Sequence, residues 1–162
     1  METTVDDGGL EPMQGLTRET AQGAGVIGRR AERTRTVQDA DIEAFGALSG
    51  DYNPVHFDEA YAATTAFRGR IAHGMLSAAW ISALLAGELP GPGAVYLGQT
   101  LEFKRPIRIG DEVTVSAEVT AVDAKGRMTL KTECKVRGKV AVTGEAQALL
   151  PAGPAPSTAE PA

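Results

Sequence analysis

Hydrophobic and polar positions alternate with a period of two through much of the second half of the chain. Val113, Val115, Ala117 and Val119 recur without a break. Met128, Leu130, Cys134 and Val136 also alternate, and then Val140, Val142, Ala146, Ala148 and Leu150. Val95, Leu97, Leu101 and Phe103 alternate as well, with Gln99 in the same register. Each run predicts a strand with one apolar and one polar face. Gly110-Asp111, Lys125-Gly126 and Gly138-Lys139 separate the runs. Short glycine-containing links of this kind favour antiparallel hairpins.

The first half carries helical patterns instead. Gln38 to Leu48 places Asp39 and Asp41 in a first turn, where carboxylates suit the positive end of the helix dipole. Ile42, Phe45, Ala47 and Leu48 supply its apolar face, and Ser49-Gly50 ends it. Asp58 to Thr64 reads as a short second helix with Asp58 as its N-cap. Phe67-Arg68-Gly69-Arg70 is a turn. Ala72 to about Leu85 is apolar on nearly all its faces, with Met75 and Trp80 among the core candidates, so it predicts a buried helix. Ala31 to Val37 is β-permissive but hydrophilic, which suits a sheet edge or a place outside the sheet. The consistent solution is an α+β fold, a curved antiparallel sheet wrapped around one long central helix. In this reading residues 1–28 form a flexible N-terminal arm, 29–151 the folded domain and 152–162 a disordered Pro- and Ala-rich tail.

Composition narrows the function classes. The chain has 16 Lys and Arg against 21 Asp and Glu, a net charge of −5, which argues against a nucleic-acid partner. A single cysteine, Cys134, excludes an internal disulfide, and its apolar register predicts an inert buried thiol. No apolar run reaches membrane-spanning length and the acidic start lacks a basic-then-apolar signal. The expectation is a cytoplasmic protein with no membrane association.

The candidate chemistry sits in one loop, Ser49-Gly50-Asp51-Tyr52-Asn53-Pro54-Val55-His56. Pro54 fixes its own φ and pushes Asn53 away from helical angles, so the loop is stiff. Asp51 and His56 can then converge on one water and move protons to and from it near neutral pH. Turn chemistry alone accounts equally well for Asp51-x-Asn53-Pro54 in isolation. His73 reads as structural, satisfying backbone near a helix start.

These residues resemble the MaoC-like, (R)-specific enoyl-CoA hydratase family, which has the hot-dog fold. The resemblance rests on Ser49-Gly50-Asp51-x-Asn53-Pro54-x-His56 followed by Ala72-His73-Gly74-Met75. Tyr96-Leu97-Gly98-Gln99, Phe103-Lys104-x-Pro106 and Gly110-Asp111-Glu112-Val113 extend it from about residue 30 to Pro151. It implies reversible addition of water to a trans-2-enoyl-CoA, giving the (R)-3-hydroxyacyl-CoA. Asp51 and His56 would activate the water and Asn53 would fix the loop or the water. The Gly74 N–H, at a helix N-terminus, would stabilise the enolate-like thioester oxygen. Ser82 aligns with a further active-site position. The resemblance implies a homodimer, an acyl-CoA substrate, and no metal or redox cofactor, coenzyme A entering only as part of the substrate.

Arg68, Arg70, Lys104, Arg105 and Arg108 form a local basic surplus. They are either solvated surface or a landing site for coenzyme A phosphates. Two other functions stay open at this point: a 3-hydroxyacyl-carrier-protein dehydratase using the same dyad, and a non-catalytic acyl-thioester binding module. The intact polar dyad argues against the binder, because desolvating Asp and His in an apolar groove would cost free energy that binding alone does not require. A thioesterase would need its water at the carbonyl carbon, and the resemblance does not point there.

Overall fold

The computed structural model describes residues 15–22 and 25–153. In chain order the elements are α1 (Arg18–Ala21), β1 (Arg30–Thr36), α2 (Asp39–Ser49), α3 (Pro54–Phe57), α4 (Glu59–Thr64) and α5 (Gly74–Gly87). They continue with β2 (Val95–Gln99), β3 (Glu102–Phe103), β4 (Glu112–Val122), β5 (Arg127–Val136) and β6 (Lys139–Leu149). One six-stranded antiparallel sheet runs in the order β1-β4-β5-β6-β2, with β3 also on β6.

The alternation read from the sequence decides which face of that sheet is inside. Val113, Val115, Ala117 and Val119 of β4 are buried with Met128, Leu130 and Cys134 of β5. They meet Leu76, Trp80, Ile81, Leu84 and Leu85 of α5 in one core. Full burial of each such aliphatic side chain contributes roughly 1.5–3 kcal/mol, so this contact dominates the stability of the sheet–helix pair. Cys134 is fully buried there, and burial pushes its thiol up to about 12. The edge position expected for the hydrophilic first strand is where β1 lies, paired with β4 from Arg30↔Glu118 to Thr36↔Glu112.

Several details differ from the sequence reading. The run from Val95 to Phe103 is two strands, not one. Thr100 breaks it: a Cβ on Gly144 would overlap the Thr100 carbonyl oxygen, so the two backbones are pressed together there. Three apolar side chains of this run, Val95, Leu97 and Phe103, are also 43–56% exposed, while Leu101 packs against the core. In β6 the alternation slips at Ala141, an extra residue between the Cys134↔Val142 and Lys135↔Val140 pairs, so Ala141 and Val142 are both buried.

Helix α5 is covered on one side only. Met75, Ala79, Ser82, Ala83 and Ala86 lie on its exposed face, and Met75, expected in the core, is 55% exposed. A single sheet can cover one face of a helix, and alanine is small enough to leave the other open. Leu48 likewise drops out of the apolar face of α2, at 88% exposure.

A further difference concerns the chain ends. Residues 1–14, 23, 24 and 154–162 of the expected arm and tail lie outside the described residues. The described part of the arm is docked. Leu16 N–H donates to Pro90 O (2.8 Å), Arg18 N–H to Pro151 O (3.0 Å) and Arg18 Nε–H to Leu150 O (3.0 Å), while Ala21 and Val26 are buried. No helix among the described residues is long and apolar enough to cross a membrane.

Candidate active site

The loop after α2 is held by a ladder of short-range hydrogen bonds. Gly50 takes a left-handed conformation (φ 77°) and its N–H donates to Gly46 O, closing α2. Ser49 Oγ donates to Phe45 O (2.6 Å) and accepts from Asp51 N–H (3.1 Å). Asp51 Oδ1 accepts from Asn53 N–H (3.2 Å), and Asn53 Oδ1 from Val55 N–H (3.3 Å). Asn53 is therefore the N-cap of α3, with Pro54 in the first turn where its missing N–H costs nothing. The short helix α3 is absent from the sequence reading, which treats these residues as loop. It turns His56 inward.

His56 is buried, 8% exposed, and its Nδ1–H donates to Ile71 O (2.9 Å). A carbonyl oxygen can only accept, so Nδ1 carries the hydrogen and Nε2 of the neutral ring keeps its lone pair. Burial lowers the His56 pKa below the ordinary 6.5. The Ile71 carbonyl opposes this, the neighbouring His73 adds to it, and Asp51 opposes it. The ring is thus neutral at pH 7 and offers Nε2 as a base.

His73 is also buried, 2% exposed. Its Nε2–H donates to the backbone oxygen of Asp51 (2.9 Å), across from the preceding loop. The backbone His73 satisfies is thus that of the Ser49–His56 loop. Phe45 and Phe57 pack on the His73 ring at centroid distances of 4.8 and 5.6 Å. One oxygen or nitrogen from each of Asp51, His56 and His73 lies within 4.8 Å of the others. That spacing suits one water or one cation. The two carbonyl-bound nitrogens, His56 Nδ1 and His73 Nε2, are already occupied as donors.

Asp51, His56, His73 and Gly74 line one cavity of about 430 Å³, in the range of small-molecule sites. Gly74 is the first residue of α5, whose opening N–H groups have no intrahelical acceptor. Its lack of a side chain has a local reason. A Cβ there would lie 2.8 Å from Cε1 of Phe103, which also lines the cavity. The structure thus brings together Asp51, His56 and Gly74. Asn53 stays beside them as a cap and is absent from the cavity wall.

Ser82 does not join them. It is exposed two turns further along α5 and lines a separate depression with Leu85, Pro90 and Tyr96. Ser77, which the sequence reading passed over, is the serine that lines the cavity, 1% exposed. It lies one turn beyond His73, hidden within an apolar helix where nothing marks it out.

The basic surplus divides. Lys104 and Arg105 line the cavity, although Lys104 pairs with Glu102 and Arg105 donates to Val140 O (2.6 Å). Arg68 is exposed. Arg70 is not a free cation: its Nε–H donates to His56 O (2.7 Å) and it pairs with Asp39 (2.8 Å). Arg108 donates to Phe67 O.

Residues 24–143 match the family model for the MaoC like domain. The chain belongs to the MaoC-like domain family. This MaoC-like chain is 52% identical to an (R)-specific enoyl-CoA hydratase of Rhodospirillum rubrum over 77% of its length and 88% of the relative's. It is 50% identical to an (R)-specific enoyl-CoA hydratase of Aeromonas caviae, over 77% of this chain and 95% of that one. Its fold is that of the R-hydratase PhaJ1 of Pseudomonas aeruginosa, with a TM-score of 0.82 at 44% identity, covering 93% of this chain and 96% of the other. The hot-dog architecture implied by the loop and helix motifs is the architecture of this MaoC-like chain.

Proposed function

We propose that this MaoC-like chain is an (R)-specific enoyl-CoA hydratase, a hydro-lyase that adds water reversibly to a trans-2-enoyl-CoA. One observation carries the mechanism: Asp51 and a neutral His56, with one ligand atom of each within 4.8 Å of the other, line a cavity that opens beside the N-terminus of α5. A water donating one hydrogen to each presents its oxygen to the β-carbon of the substrate. As the carbon–oxygen bond forms, Asp51 takes one proton and the electron pair of the double bond moves to the thioester. The Gly74 N–H meets the oxygen on which that charge develops. The Asp51–His56 pair then returns a proton to the α-carbon, and the product is the (R)-3-hydroxyacyl-CoA. An enoyl thioester is already electrophilic, so the reaction as proposed calls for no metal or redox cofactor.

The working unit in this reading is a homodimer in the cytoplasm, serving fatty acid metabolism. Pairing between copies would hide the exposed apolar strand β2 and the open face of α5. Arg68, Lys104 and Arg105 would meet the coenzyme A phosphates. Hydration of crotonyl-CoA, followed by loss of enoyl-thioester absorbance, tests the function. Wild type is expected to turn over, while Asp51→Asn and His56→Ala stay folded and lose at least ~10²-fold in kcat. Turnover only of carrier-protein thioesters would reassign the enzyme as a 3-hydroxyacyl-carrier-protein dehydratase. Binding of both thioester types without turnover would leave a non-catalytic module.

A further inference from the structure

The catalytic histidine sits on a helix of four residues, Pro54–Phe57, too short to be stable by itself. Its carbonyl groups therefore need partners outside the helix. The Asp58 N–H takes Pro54 O (2.8 Å), and the next two carbonyls are met from one place. Ile71 N–H donates to Val55 O (3.3 Å), and Arg70 Nε–H donates to His56 O (2.7 Å). The same strap returns a third bond, because Ile71 O accepts from the His56 ring (2.9 Å). Arg70 is in turn fixed from α2, where Asp39 Oδ1 lies 2.8 Å from its guanidinium, and its side chain is only 20% exposed.

We infer that Arg70 is a positioning residue for His56, and that the Asp39–Arg70 pair ties the catalytic turn to α2. The inference rests on the hydratase reading of His56. Arg70 does two things that a lysine cannot do at once. It caps the turn through Nε and binds a carboxylate through a terminal nitrogen, using the planar fork of the guanidinium. By holding the backbone of residue 56, it keeps the ring at the distance from Ile71 O that selects the Nδ1–H tautomer and leaves Nε2 facing the cavity. The cation also sits at the C-terminal end of the helix, where positive charge is favourable.

The test combines kinetics on crotonyl-CoA with ¹⁵N NMR of the His56 ring in the intact protein. Wild type is expected to show the single Nδ1–H tautomer. In Arg70→Gln the tautomers should mix and kcat should fall about 10–100-fold, since displacements near 1 Å cost on that order, with KM within about twofold. Arg70→Lys should recover part of both. A wild-type tautomer and kcat in Arg70→Gln overturn the inference. So does a raised KM with tautomer and kcat unchanged, which would make Arg70 a substrate contact. If Arg70→Gln fails to fold, Asp39→Asn decides: a loss of about twofold to fivefold in kcat with a disturbed tautomer is expected, and no change in either overturns it. Should wild type be inert towards enoyl thioesters, the hydratase reading fails, and the NMR comparison still decides whether Arg70 holds the ring.

Discussion

The rings of His56 and His73 lie 3.9 Å apart between centroids, tilted by 32°. Each is pinned through one nitrogen to a backbone carbonyl of the other's neighbourhood, His56 to Ile71 and His73 to Asp51. Contact with the His73 ring adds to burial in disfavouring a charged His56.

The His56 pKa is lowered, mainly by burial, from the 6.5 of an unfolded chain. Between the two values the unfolded chain binds the proton and the folded chain does not, so stability falls as pH drops. The stability is fully present above 6.5, begins to fall as pH drops through that value, and the loss is complete below the folded pKa. Urea denaturation from about pH 8 to pH 5 should show this slope, and His56→Gln should reduce it. Hydration activity should fall over the same acid limb. A slope unchanged in His56→Gln would assign the effect to other groups.

Gly74→Ala puts a methyl 2.8 Å from Phe103 Cε1 and 3.1 Å from its Cδ1 and Cζ. Phe103 is 53% exposed, so its ring can swing aside and the fold should survive. The displaced ring and the new methyl both crowd the Gly74 N–H. Thermal stability should stay near wild type while kcat/KM falls, on the order of 10²-fold. Unchanged kinetics would remove Gly74 from the oxyanion site.

His73→Phe keeps a ring against Phe45 and Phe57 and removes the donor to Asp51 O. Asp51 is exposed, so its carbonyl can turn to water, and urea unfolding should register only the net worth of one hydrogen bond, about 0.5–1.5 kcal/mol. Activity should drop as well, because the Asp51 backbone is no longer anchored. Lost stability with full activity would confine His73 to packing.

Leu97→Lys addresses the open edge. Leu97 is 43% exposed beside Val95 at 56%, on a strand whose inner side pairs with β6. Lysine on an edge opposes strand pairing. Wild type should sediment as a dimer, and the variant should shift towards monomer at equal concentration. Wild type sedimenting as a monomer would sink the dimer.

Much of this fold is legible from side-chain periodicity, because β4 and β5 are each buried on one face and the pattern of Val113 to Val119 records it directly. The pattern fails where a neighbouring backbone, not a side chain, sets the geometry. Thr100 pressed on Gly144 and the extra residue at Ala141 are contacts between strands, and neither leaves a periodic trace. Helix α5 misleads for another reason. Alanine is apolar in composition but small, so a face of Ala79 and Ala83 reads as core whether or not anything covers it. At the site, Asp51, Asn53 and His56 stand together in sequence and are read as a unit. The groups that orient them, Ile71 O, Arg70 and His73, lie 14 to 22 residues away and act largely through backbone atoms. Arg70 reads from the sequence as one of several basic residues, solvated or phosphate-binding, because a sequence shows its charge and hides its partners.

The bonds from Arg18 to Leu150 and Pro151 bring the entry and exit of the folded region to one spot. The fold between Arg18 and Pro151 is thus nearly a closed ring, and its opening point is arbitrary in physical terms. A circular permutant that joins this pair by a short linker and opens at the Arg137-Gly138 turn, whose residues have φ of 50° and 74°, would keep every strand neighbour while moving both termini to the far end of β5 and β6. A cargo fused at those new ends would leave from the β5–β6 turn, not from the Leu150–Pro151 end of the sheet.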